Sequence, residues 1–355
     1  MKRVVKWICA GAGVLLLLLI FALCCMYFWN KRKSAEWESA SVSADDTSCA
    51  GAELFSAVNN LNARWELANV GTQKFFTITK GKGAPVVVFE GDVGYSSAEW
   101  LPVLSAMPET CTSLVYDRAG YGKSSEGEFP RTPDRIVGEL ESLLHALGFA
   151  GSPLVLVGAG MGGYYAQLFA AAHKSQVRGL VLVEPYAAGW HAFKGKLDPV
   201  VYKNLLDRAP ALKMTGIVGK MGLIRYFNAS PYEKLPDNIR CLVAENYSRT
   251  TALEAMYSEY RSGPLRPENA ADIVLPNVPI TVLHHSPDAY RIEMMKFYLA
   301  WNDIEDIETY WGTMLSEITS QSEQGKIVYA KESIGNIVLA EPEFVTEIVA
   351  GMILR

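Results

Sequence analysis

The run Pro153-Leu-Val-Leu-Val-Gly158-Ala159-Gly160-Met161-Gly162-Gly163-Tyr164 leads an apolar stretch through glycines into a helix-forming one, a shape that serves two chemistries. As G-x-G-x-x-G, Gly158, Gly160 and Gly163 would offer backbone amides to a pyrophosphate, with Glu184, 21 residues after Gly163, for a ribose hydroxyl. As a G-x-S-x-G turn, the segment would lift its central residue above a sheet as a nucleophile. Gly160 holds that central place and has no hydroxyl. A base is equally hard to find. The histidines are His145, His173, His191, His284 and His285, and the 70 residues after His285 contain none. His284 and His285 close an apolar run, and strand alternation predicts that they point to opposite sides, one packed and one solvated. Of six cysteines, Cys9, Cys24 and Cys25 share one apolar stretch, leaving Cys49, Cys111 and Cys241 scattered. That pattern gives neither a disulfide framework nor a zinc site, and no metal or cofactor is expected.

The elements that must position these residues alternate along the chain. Strands are expected at 75–79, 86–90, 113–117, 154–157, 180–183, 280–284 and 327–330, with helices at 100–107, 135–147, 163–173 and 342–354. This order predicts an α/β fold, a mostly parallel sheet with helices on both faces. Residues 187–275 break it with helix-like segments and Pro199, Pro210, Pro231, Pro236, Pro264 and Pro267, which reads as a helical cap inserted above the sheet.

The context of the glycine turn chooses between its chemistries. Upstream lie Val86-Val-Val-Phe-Glu90-Gly91-Asp92-Val93-Gly94 and Asp117-Arg118-Ala119-Gly120-Tyr121-Gly122-Lys123-Ser124; downstream lies Gly179-Leu-Val-Leu-Val-Glu184-Pro185. In this order they resemble the α/β-hydrolase superfamily, particularly its membrane-anchored bacterial members, from about residue 64 to the C-terminus. A dinucleotide fold would carry its fingerprint after the first strand, whereas three expected strands precede this one. The resemblance implies a nucleophile at Gly160, a histidine after the last strand where Gly335 or Ile334 stands, and an acid for which Asp288 fits best and Glu184 second. It places the oxyanion amides at Met161 and near Asp92 or Val93. Ser96 and Ser97 read as turn formers, and Asp117 with Arg118 as a brace for the loops around the turn.

The chain has 355 residues, 50% hydrophobic and 20% charged, with a net charge of -5. The six basic residues of 1–33 face no acid there; the remaining 27 basic against 38 acidic leave -11 for the body, which argues against nucleic acid as a partner. The 23 residues 7–29 carry no charge and have aromatic residues at both ends, enough for one transmembrane helix across roughly 30 Å of hydrocarbon. The expected organisation is a tail at 1–6, a transmembrane helix at 7–29, a tether at 30–64 with a short helix near 54–61, and a hydrolase-fold core at 65–186 and 276–355 around the cap at 187–275. A single-pass protein of the cell membrane follows, with an extracytoplasmic body.

With Gly160 and Gly335 at the nucleophile and histidine positions, the first expectation is a pseudoenzyme. It would bind or scaffold through the old pocket, with a small carbonyl- or carboxylate-bearing ligand as its partner besides the membrane. Two alternatives stand beside it: an esterase-like hydrolase that works through water held by Asp288, Glu184 or His284, and a dinucleotide-binding oxidoreductase.

Overall fold

Strands buried on both faces must be apolar rather than alternating, and the runs at 86–89 and 154–157 meet that demand. The computed structural model describes residues 21–29, 32, 49–203, 209–220, 237–264, 272–296 and 299–354. Its strands are β1 (Arg64–Val70), β2 (Gln73–Lys80), β3 (Val86–Glu90), β4 (Thr112–Tyr116), β5 (Leu154–Ala159), β6 (Val177–Val183), β7 (Ile280–His284) and β8 (Gly325–Tyr329). They form one sheet in the order β1-β2-β4-β3-β5-β6-β7-β8. The β1/β2 and β2/β4 pairs are antiparallel and all others are parallel.

The helices are α1 (Cys49–Asn60), α2 (Leu101–Ala106), α3 (Pro133–Ala146), α4 (Met161–Ala172), α5 (Ala209–Lys220), α6 (Asp237–Ser248), α7 (Thr250–Ser262), α8 (Pro287–Lys296), α9 (Trp301–Thr319) and α10 (Pro342–Ile353), besides shorter turns. One sheet face buries Phe76, Val87, Phe89, Val155 and Val157 against α1, α2 and α10. The other buries Val88, Leu156, Leu182 and Val282 against α3, α4 and α9. Thr132 caps α3 by accepting from the Arg135 amide, and Pro133 opens the helix where its missing N–H costs nothing. Between β6 and β7 the described residues form helices and no strand.

One expectation needs revision. The tether at 30–64 ends early, because α1 buries Leu54, Phe55 and Val58 in the core. The edge strand β1 and the long helix α9 were not foreseen. Among the described residues no helix is long and apolar enough to cross a membrane. The span expected at 7–29 lies outside them except for 21–29, which is helical with Phe21, Phe28 and Trp29 exposed.

Candidate functional site

β5 ends at Ala159, and the chain turns at once into α4 through Gly160 (φ 53°, ψ -119°). That left-handed region costs a residue with a side chain about 1–3 kcal/mol, whereas glycine enters it without strain. The turn is fastened to the next strand. Gly160 N donates to Val183 O at 2.9 Å, and Tyr186 N donates to Gly160 O at 3.0 Å. Gly162 allows a close backbone approach: a Cβ there would lie 2.3 Å from Gly91 O and 2.4 Å from Glu90 O, so the loop after β3 rests directly on the first turn of α4.

From that loop Asp92 reaches over the turn. Its Oδ1 accepts from Met161 N at 2.8 Å and from Val93 N at 2.8 Å. The two amides expected to face an oxyanion thus both face one carboxylate of the chain itself, at the positive end of α4. The same carboxylate fills the place of a side chain at 160, where a Cβ would lie 2.2 Å from Asp92 Cγ and Oδ1. A pyrophosphate at this helix end would have to displace Asp92 from the same amides.

Beneath the loop lies a buried network of ion pairs. Arg118 Nη1 meets Glu90 Oε1 at 2.7 Å and donates to Gly91 O at 2.5 Å; Nη2 donates to Asp92 O at 2.9 Å and to Glu259 Oε2 at 2.8 Å. Glu259 comes from the cap helix α7 and is fully buried. Burial pushes the Glu90 carboxyl up, against the pull of Arg118 and a hydrogen bond from Tyr116. Asp117 braces the neighbouring loop by accepting from Ser97 N at 2.5 Å and Lys123 N at 2.7 Å. Asp117 and Arg118 therefore brace the loops as expected, and Ser96 caps the short turn Ser97–Trp100 in a capping box with Glu99. Helix α6 also grips the loops: Asn246 Nδ2 donates to Gly94 O at 2.6 Å, and Gly122 N donates to Asn246 Oδ1 at 2.9 Å.

In the loop after β8, Gly335 immediately precedes Asn336, whose Oδ1 accepts from the Tyr95 hydroxyl of the β3 loop. Asp288, expected as the orphan acid, does not turn inward. Its side chain is 93% exposed at the start of α8 and pairs with Arg291 at 3.2 Å, because a residue in an exposed first helical turn faces solvent.

Glu184 is the carboxylate that turns inward. It follows β6 at φ 48°, a conformation costly for a residue with a side chain. Its Oε1 accepts from His284 Nδ1 at 2.7 Å and from the His285 amide at 2.6 Å, and its Oε2 meets His285 Nδ1 at 2.9 Å. His285 Nε2 meets Glu308 Oε1 at 2.8 Å. The histidines are 2% and 0% exposed, so the expected split into packed and solvated rings is wrong. The strand ends at His284, and the chain beyond it is free to bring the second ring round. Burial disfavours charge on Glu184, but hydrogen bonds from His284 and His285 prevail and hold its carboxyl down to about 2. Burial likewise works against a charged His285, yet Glu184 and Glu308 raise it to about 9. Glu184, His284 and His285 each offer one ligand atom, all within 4.8 Å of one another, a group able to hold a metal ion. Glu308 was missed with its helix, although Ile304, Ile307, Trp311, Leu315 and Ile318 repeat at helical spacing and mark the face it shares.

The model of the alpha/beta hydrolase family matches residues 91–315. The chain belongs to the alpha/beta hydrolase family. It is 26% identical over 266 residues to the uncharacterized protein YqjL of Bacillus subtilis, covering 75% of this chain and 82% of that one. To the (lyso)-N-acylphosphatidylethanolamine lipase of Homo sapiens it is 24% identical over 238 residues, 60% of this chain and 69% of that one. The epoxide hydrolase CorEH superposes with a TM-score of 0.62 at 17% identity, over 82% of this chain and 100% of that one, a likeness of fold.

Proposed function

We propose that this alpha/beta-hydrolase-fold chain does not carry out acyl transfer through a serine nucleophile and serves instead as a binding or scaffolding module, anchored in the cell membrane through 7–29. The observation that carries the reading is Asp92, whose carboxylate sits on the Met161 and Val93 amides in the space above Gly160. Covalent catalysis needs a nucleophile there and a developing oxyanion on those amides. Gly160 supplies no nucleophile, the segment after β8 supplies no imidazole, and the amides are satisfied by Asp92. An acyl ligand or a carboxylate that binds at this point must displace Asp92 first. The experiment is incubation of the purified chain with a fluorophosphonate probe and a panel of short and long acyl esters. Neither labelling nor turnover above buffer is expected; turnover that survives repurification and vanishes in Asp92→Asn would sink the reading.

One observation favours a second reading, an esterase-like hydrolase with a non-standard site. Glu184 orients His284 through Nδ1 at 2.7 Å and leaves Nε2 without a protein partner, the relation of acid to base in a hydrolytic triad. Ester turnover lost in both Glu184→Gln and His284→Gln, with Asp92→Asn unaffected, would select it.

A further inference from the structure

Two strand ends beside the glycine turn carry a cluster that the Asp92 closure does not use. We propose that Glu184, His284 and His285 form a binding site for one divalent transition-metal ion of the zinc class, with Glu308 as the carboxylate behind it. Adjacent residues leaving a strand ordinarily diverge, yet these two imidazoles lie with ring centroids 3.9 Å apart and both turn a nitrogen to the same carboxylate.

The donor set selects the ion. Two imidazole nitrogens and one carboxylate oxygen suit zinc or its neighbours, whereas calcium and magnesium call for oxygen ligands. Bonds of roughly 2.0–2.1 Å in a tetrahedron put ligand atoms about 3.3 Å apart. The present contacts of 2.7 Å and 2.9 Å, made through protons, open by about half an ångström when an ion replaces those protons. His285 already donates its far nitrogen to Glu308 at 2.8 Å, the arrangement that fixes ring orientation and tautomer in metal-ligating histidines. When the metal binds, His285 gives up its Nδ1 proton to solvent and keeps Nε2–H on Glu308. The Nδ1 proton of His284 moves to Nε2, a buried nitrogen with no protein partner. Tyr290, stacked on His285 at 4.3 Å, and Trp311, edge-on to both rings at 5.0 Å, wall the cluster with apolar surface. Three protein ligands leave a fourth position for water or a ligand atom.

The test uses the full-length chain in detergent, stripped with EDTA, dialysed and titrated with Co²⁺. One Co²⁺ per chain is expected, with the visible absorption of a four-coordinate site, displaced by one equivalent of Zn²⁺. Glu308→Gln should weaken binding roughly 10–100-fold, and His284→Gln and His285→Gln should abolish it. Absence of the band in the wild-type chain, or its persistence in both histidine variants, overturns the proposal. Should those variants unfold, the zinc K-edge spectrum of the wild-type adduct decides: imidazole and oxygen ligation supports the site, and sulfur ligation refutes it. None of these readouts depends on whether the Asp92 site is silent.

Discussion

Asp92 occupies the volume into which a side chain at Gly160 would grow. A Cβ at 160 would stand 2.2 Å from Asp92 Cγ, so restoring a serine there meets a carboxylate as well as a left-handed backbone. Gly160→Ser should destabilise the chain by at least the roughly 1–3 kcal/mol of the strained backbone. Asp92→Ala in the same chain should recover the part due to the overlap. Urea unfolding of both single variants and the double variant, read as a thermodynamic cycle, checks this; additive losses would show that the two positions do not collide.

Removing only the acceptor tests the amide pair. Asp92→Ala leaves Met161 N and Val93 N without their present partner, a loss of about 1–3 kcal/mol. Asp92→Asn keeps an acceptor oxygen and should lose less. Acetate or formate should raise the melting temperature of Asp92→Ala more than that of the wild type, because an added carboxylate can take the vacated amides. Equal shifts in both chains would contradict the assignment of these amides.

Arg118 stands between Glu90 and Glu259, all three buried. Arg118→Met strands two carboxylates and should cost about 3–5 kcal/mol. Glu259→Gln, which leaves a neutral Arg118–Glu90 pair, should cost less. The Arg118→Met deficit should shrink as pH falls and Glu90, whose carboxyl burial pushes up, takes up a proton. Chemical denaturation of both variants at two pH values gives the order and the trend.

Glu99 provides a pH signature. Burial raises its carboxyl to about 8, against hydrogen bonds from Ser96. Between the ordinary value of 4.5 and about 8 the folded chain holds a proton that the unfolded chain has released. Stability from this group is therefore complete below that window and is lost as pH rises through it, with a slope of at most about 1.4 kcal/mol per pH unit. Glu99→Gln should flatten the slope, as read from melting temperatures across the window.

The sheet was legible because its inner strands are largely apolar, β-branched runs; Val86–Glu90 and Ile280–His284 fall where the sequence places them. The edge strand β1 was not, since an edge alternates with exposed residues such as Arg64 and Glu66. Gly160, Met161, Asp92 and Val93 were legible through the strand-turn-helix pattern and its neighbours. That Asp92 would close over the turn was not, because a side-chain direction across 68 residues leaves no periodic trace. Asp288 misled because its place in the chain order was right while its exposed helical turn faces water. The meeting of Glu184, His284, His285 and Glu308 joins three elements, and only the packing of α9 against the sheet brings the fourth residue in.

The register of the parallel strands gives the sheet edge a scale. Ala159 pairs with Val183, Val183 with Leu283, and His284 with Tyr329, so Gly160, Glu184, His284 and Tyr329 stand at one level on successive strands. With neighbours about 4.8 Å apart, two steps carry the backbone from the glycine turn to the histidine pair, about 10 Å along the edge. The edge behaves as a shelf with equally spaced places, where polar groups can be gained at one place and lost at another while the strands beneath keep their positions.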